Sequence, residues 1–388
     1  QGYRLETIAE YDRTPFQSPG IRLGNFVLFA DIGNGLSVTK RDFNDYAPRT
    51  TEIRHEIGTR LELQSRTARH LLNILVDGQA LQYEDRNNLR YFAGNLAANW
   101  RIDVTHTTSI FGSAGINVRP LDNIDDENPK AASEPGKLTT TGADIGVRYT
   151  AGRIDAAIGI RYQHMDFADV AARDGSVISN SWQNNSALQP YIKGSWRFTP
   201  GFEIFGEVST SRIENTGDSF IDRDANAVQG AIGVRFEASP VIRVMLKGGY
   251  IDQNYRQANL QDISAPIWEC RLDWLVTPLV TLSFATWRDV RATRYGSASG
   301  QLVTGYSVSA EYEMWRNLVL SANTSFRDHD FIGIARKDRV VTAGLGAKYL
   351  YSRHWEFTAG YEHQELTSNQ PGQDQRLDRF RIGANYRF

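Results

Sequence analysis

The residues able to act on a solute stand on the polar positions of the chain. Arg148, Arg161, Lys193, Arg197, Arg235, Arg243, Lys247 and Arg271 recur through the middle of the sequence, and Arg379 and Arg381 stand near its end. A stripe of such cations in a water-filled space attracts anions. Acids interleave at Glu56, Glu62, Glu203, Glu207, Glu311 and Glu313. The mixture also reads as a solvated wall whose charges pair across strands, at about 0.2–1 kcal/mol per pair. Tyr83, Tyr91, Tyr191, Phe205 and Trp287 share this polar parity. Aromatic faces stack on sugar rings, so a line of them would guide a polysaccharide. Alternatively they pack against an inward-folded loop or a plug.

The residues for bond-making chemistry are not assembled. The seven histidines form no HExxH, and the sequence has no GxSxG and no glycine-rich phosphate loop after a strand. His55 and His363 fall on the apolar parity, where a serine partner could act on lipid, but an unreactive interfacial role is the simpler reading. The single Cys270 excludes an internal disulfide, a thiolate zinc cluster and a CxxC pair. The expectation is therefore no enzyme, no cofactor and no metal. Acidic groups at Asp122, Asp125, Asp126 and Glu127, and at Asp218, Asp222 and Asp224, match no EF-hand spacing and read as solvated loops. With 43 Lys+Arg against 45 Asp+Glu, the formal charge of −2 argues against a nucleic-acid binder.

The elements that must position these residues follow from one period. Segments of 10–16 residues alternate apolar and polar, as in Ile154, Ala156, Ile158, Ile160 and Tyr162 against Asp155, Gly159, Arg161 and Gln163. Successive side chains of a strand point to opposite faces, so each segment is a two-faced strand. About 18 such strands are expected, starting near residues 25, 51, 69, 89, 107, 138, 153, 185, 202, 226, 241, 263, 279, 301, 317, 339, 355 and 376.

Mean hydropathy is −0.43, and no apolar run approaches the length of a membrane helix. That leaves a transmembrane barrel open, because only alternate residues then meet lipid. The connections alternate between tight turns, such as Thr199-Pro200-Gly201 and Thr277-Pro278, and longer segments, of which 119–137 and 166–184 are the longest. Aromatics bracket the tight turns on the apolar face, among them Trp100, Trp196, Phe202, Trp274, Trp315 and Trp355. Their rings suit the headgroup level. A soluble sandwich, jelly roll or propeller explains neither feature. The expected fold class is all-β: a transmembrane antiparallel up-and-down barrel formed by residues 25–388, embedded in outer-membrane lipid and lipopolysaccharide. Both termini and the tight turns would lie in the periplasm.

Residues 1–24 do not alternate. They read as a periplasmic leader that would serve as a plug, as a strap for a partner, or as a disordered tail; any signal peptide would already have been removed. Pro190 and Pro266 lie inside strands, where each lacks a ladder donor, so a β-bulge or kink is expected at both. A barrel of this size is too wide for side chains to fill, so the lumen would be a wet channel or a plugged one.

The segment Gly20-Ile21-Arg22-Leu23-Gly24-Asn25-Phe26-Val27-Leu28-Phe29, followed by Val38 to Phe43, resembles the opening of the Putative beta-barrel porin 2 family. The chain departs from the family's usual form in carrying Ala30 where proline commonly follows. The resemblance implies a Gram-negative outer-membrane protein, with some relatives linked to exopolysaccharide export. It would then meet periplasmic polysaccharide-export components. It also implies that the terminal Phe388, with Tyr386, is the signal read by the barrel assembly machinery. The expected function is passive passage of a hydrophilic solute, as an exopolysaccharide export conduit. The alternatives are a general or anion-preferring diffusion porin, and a structural or adhesive protein with a plugged lumen.

Overall fold

The computed structural model describes residues 6–10, 13–43, 47–67, 69–84, 89–121, 124, 132–172, 174–217, 222–293, 295 and 297–388. Eighteen long strands form the wall. They are β1 (Phe26–Phe43), β2 (Ala47–Ser65), β3 (His70–Tyr83), β4 (Arg90–Asp103), β5 (Thr108–Leu121) and β6 (Gly136–Ala151). There follow β7 (Ile154–Phe167), β8 (Asn185–Thr199), β9 (Phe202–Asn215), β10 (Ala225–Ser239), β11 (Ile242–Tyr255) and β12 (Ile263–Thr277). The last are β13 (Val280–Arg291), β14 (Gly300–Trp315), β15 (Leu318–Ile332), β16 (Lys337–Leu350), β17 (Trp355–Ser368) and β18 (Gln375–Arg387). Each expected start falls within four residues of an observed one.

Every strand pairs antiparallel with its chain neighbours, and β18 closes on β1 from Asp31↔Arg387 to Phe43↔Gln375. Closure gives every strand a partner on both sides, which lipid requires because it offers no hydrogen-bond partner. The alternation sets the two faces. Ile57, Phe92, Leu96, Ile158, Ile232, Leu345 and Ile382 are exposed on the outside, while their sequence neighbours point inward. Large apolar side chains exposed all round a closed wall are what a bilayer covers. At the tight-turn end they give way to aromatics in contact, including Trp196 with Phe198 at 5.3 Å and Trp355 with Tyr386 at 5.1 Å.

The opening motif has a physical reason. Ile21–Leu23 folds back on Phe26–Leu28 in a hairpin whose turn holds Gly24 at φ 60°. Gly20 has φ 67°, and a Cβ there would stand 2.6 Å from Val27 Cγ1. Both positions favour glycine.

The two prolines correct an expectation. Neither makes a bulge. Pro190 pairs with Ile160 in unbroken register against β7, and Pro266 with Tyr250 against β11. The accommodation lies on the other edge of each strand. The β8–β9 ladder passes from Leu188↔Arg212 to Tyr191↔Ser209 without a register change, skipping Pro190, and the β12–β13 ladder begins only at Trp268↔Arg288. A missing N–H is tolerated where no ladder bond is required of it.

Candidate functional site

The lumen is narrowed from both ends. At the long-connection end, Ile124 in the β5–β6 connection is buried with Val340 of β16, Leu366 of β17 and Leu377 of β18. Those three side chains point inward, five to seven strands round the wall from β5 by way of β4, β3, β2 and β1. The connection therefore enters the lumen and docks on another sector. The same connection meets the next long one through Ala132↔Ala172 and a Ser133 N–H to Ala171 O bond of 2.8 Å. Asp122, Asp125, Asp126, Glu127 and Asp218 of the acidic loops lie outside the described residues, while Asp222 and Asp224 sit beside Arg256.

A second connection folds in beside it. Ala298 and Ser299 are buried, and Tyr255, which bonds Ser299, packs against the buried cluster of Ile251, Ile263 and Ile267. Tyr255 donates its hydroxyl to Ser299 O at 2.8 Å, and Arg223 donates to Tyr295 O at 2.6 Å and Ala298 O at 3.2 Å. Apolar residues at inward positions would otherwise face water, so this docking explains their place in the alternation.

At the tight-turn end the N-terminal segment lies against the inner wall. Ile8 is buried, and its backbone N–H donates to Thr281 Oγ1 at 3.2 Å. Glu10 pairs with Arg243 at 2.8 Å, and Arg13 with the buried Glu313 at 3.0 Å. Arg353 donates to Pro15 O at 3.3 Å, and Ser18 to the carbonyl of Phe388. The hydrogen bond from the Arg243 guanidinium holds the Glu10 carboxyl below the usual glutamate range. Tyr3, Tyr11 and Asp12 lie outside the described residues.

Along the inner wall from β6 to β12, reaching the tight-turn end at Thr199 and Gly201, lies a cavity of about 790 Å³. It gathers Arg148, Lys193, Arg197, Arg235, Arg243, Lys247 and Arg271, seven of the cations singled out by parity. Acids divide the stripe. Arg235 pairs with Glu203 at 3.3 Å, and Arg148 with Asp155 at 3.7 Å. Glu269 sits between Lys247 at 2.7 Å and Arg271 at 2.6 Å. Among the described residues, Lys193 and Arg197 make no ion pair; Arg197 donates to the backbone of Gly152 at 3.3 Å. Glu207 stands opposite Lys193 in register and forms none either.

Aromatic rings carry several of the cations. Phe205 lies over Gly233, where a Cβ would meet its ring at 2.5 Å, and Arg235 stacks on it 4.1 Å from the centroid. Tyr191 lies over Gly159 in the same way; Arg161 and Lys193 each stand 5.0 Å from its ring centroid. Tyr191 donates to Asp144, which also pairs with Arg161 at 3.3 Å. Glycine on one strand lets the ring of the next lie flat against the wall, and the cation then rests on the ring face. This glycine signal is present in the sequence at inward positions, but cross-strand register is needed to see it.

The remaining candidates stand elsewhere. Arg379 is buried against Thr39 and Glu362, and Arg381 lies near Glu56, which Arg54 holds at 2.6 Å. Glu62 bonds Gln64, Asn73 and Arg60, and Glu311 faces Thr281 and Ser321. Tyr83 and Tyr91 pack edge to face at 5.9 Å, and Tyr91 donates to Glu134 of the inward connection at 3.1 Å. Those two tyrosines support the loop. Trp287 faces the lumen above Gly305, beside a second cavity of about 610 Å³. Tyr386 and Phe388 are in edge contact at 4.9 Å on the outer face. His363 and Tyr361 both bond Asp378 on the outer face, with no serine in the group.

Barrels of like fold are known. OpdK of Pseudomonas aeruginosa, solved with vanillate, superposes with a TM-score of 0.51 at 12% identity over 93% of this chain and 98% of that one. OccK9 (OpdG) of the same organism gives 0.51 at 14%, and OccK2 (OpdF), solved in complex with glucuronate, 0.51 at 11%, with the same shares covered. No curated protein sequence matches the chain. With eighteen strands closed, an apolar exterior and a charged, wet interior, the molecule is an outer-membrane channel for solute diffusion. The match of one family model to residues 14–388, the entire wall and part of the segment inside it, establishes that the chain belongs to the Putative beta-barrel porin 2 family.

Proposed function

We propose that this channel passes small, anionic, hydrophilic solutes by passive diffusion. The observation that carries the reading is the pair Lys193 and Arg197. They are cations that make no ion pair among the described residues, in a cavity where Arg148, Arg235 and Arg243 each pair with one carboxylate and Lys247 and Arg271 share another. A fixed positive charge in a narrow aqueous space concentrates anions and speeds their entry. The long connections face outside and both termini face the periplasm, as the tight turns and their aromatic border suggest.

The inward connections favour a small solute over a polymer. Export of an exopolysaccharide would require Ile124 to leave Leu377 and the N-terminal segment to leave Arg243 and Glu313. A channel with a plugged lumen would conduct nothing.

Liposome swelling distinguishes these. Proteoliposomes should swell faster in an isosmotic sugar acid than in the neutral sugar of equal size. They should stay shrunken in a dextran of several kilodaltons. Equal rates for acid and neutral sugar would remove the anion preference, and rapid entry of dextran would restore the polymer conduit.

A further inference from the structure

Trp287 differs from every other lumen aromatic singled out above. Phe205 and Tyr191 carry cations on their faces, and Tyr83 and Tyr91 pack on each other. Among the described residues, no ring or cation contacts Trp287, and its indole N–H has no partner. Its ring is nonetheless fixed. It lies so flat over Gly305 that a Cβ there would stand 2.2 Å from the ring. One face is thus held by the wall, and the other is open to the 610 Å³ cavity.

Three features of that cavity define a ligand. The inward Ser307 and Ser309 on β14 line it with hydroxyls that make no hydrogen bond among the described residues. Lys247 and Arg271 flank the single carboxylate of Glu269, the direct cross-strand partner of Trp287, so this trio carries one net positive charge. Asp273, which accepts from Ser283, and Asp289, which accepts from Val290 N, line the same cavity, so its positive charge is local to Lys247 and Arg271. A flat apolar face, free hydroxyls and two cations sharing one carboxylate match a pyranose ring bearing a carboxylate. Its C–H face would lie on the indole, its hydroxyls on the serines and the indole N–H, and its carboxylate toward Lys247 and Arg271. We infer that Trp287, Ser307, Ser309 and the Lys247–Glu269–Arg271 trio form a binding subsite for a monosaccharide acid. This rests on the anion-channel reading and names a solute class for it.

The test uses the purified full chain in a planar bilayer, with galacturonate as the probe. Transient blocks of the ion current report its residence in the lumen. The expected result is clear blocking in the wild type, with residence shortened about tenfold in Trp287→Ala and less in Trp287→Phe. A tenfold change corresponds to about 1.4 kcal/mol. Chloride-over-potassium preference should be unchanged in both variants, because Lys193 and Arg197 are intact. Galactose should block more briefly than galacturonate. Blocks of equal length in wild type and Trp287→Ala, or no blocks in the wild type, would overturn the subsite while leaving the anion preference to stand on its own measurement. Equal residence of galactose and galacturonate would overturn the acid class.

Discussion

Ile124 and Leu377 are packed together although the strand entering the Ile124 connection stands five strands round the wall from β18. Leu377 is 0% exposed and Ile124 3%. This apolar cluster holds one part of the β5–β6 connection inside the lumen, while Tyr91–Glu134 and Ser133–Ala171 bonds hold another. Replacing Ile124 by Asp places a charge in an apolar cluster, at an order of magnitude of several kcal/mol, unless the side chain leaves. It should leave, because the connection is not part of the ladder. Unit conductance should rise about twofold in Ile124→Asp, while the heat-modifiable gel shift of the folded barrel is retained. Unchanged conductance with a folded barrel would show that this connection does not narrow the path.

The N-terminal segment should respond to acid. Glu10 has its carboxyl lowered by Arg243, so the contact is complete above the usual glutamate value. It is lost as pH falls through the lowered value. Channel conductance should therefore rise above that expected from bulk conductivity alone as the pH is brought down from 7 to well below the usual glutamate range. In Glu10→Gln this excess should already be present at pH 7. A Glu10→Gln variant whose conductance follows the wild type at both ends of that range would show that the segment does not obstruct flow.

Gly305 should resist enlargement. Gly305→Val puts a side chain where the Trp287 ring lies, with the nearest ring atom 2.2 Å from the first carbon. Overpacking of this kind costs about 1–3 kcal/mol. Urea unfolding in liposomes should show a midpoint lowered accordingly. Gly248, whose Cβ would meet nothing within 4 Å, is the control, and its alanine variant should unfold with the wild type.

The wall was legible in the sequence because lipid and water impose a strict period of two on every strand. Even the parity of Arg161, Lys193, Tyr191 and Trp287 could be read, and all four point inward. Pairing was not legible, because it depends on register between strands. Glu269 falls exactly opposite Lys247, so one of the expected free cations is shared. The same blindness hid the glycine beds of Phe205 and Trp287. The prolines misled because a strand has two edges, and a ladder can be dispensed with at one of them. The inward connection had a faint signal. Ile124 is an apolar residue between acids, and an exposed loop gives no reason for it.

Lys193 and Arg197 carry the central claim, and a salt gradient tests it most directly. Across a potassium chloride gradient of about one decade in activity, the wild-type channel should reverse at a potential of the sign set by chloride. Lys193→Gln with Arg197→Gln should move that potential toward zero or past it, while Lys247→Gln should move it less. A wild-type channel that reverses with the sign of potassium, or a double variant that reverses where the wild type does, would contradict the account.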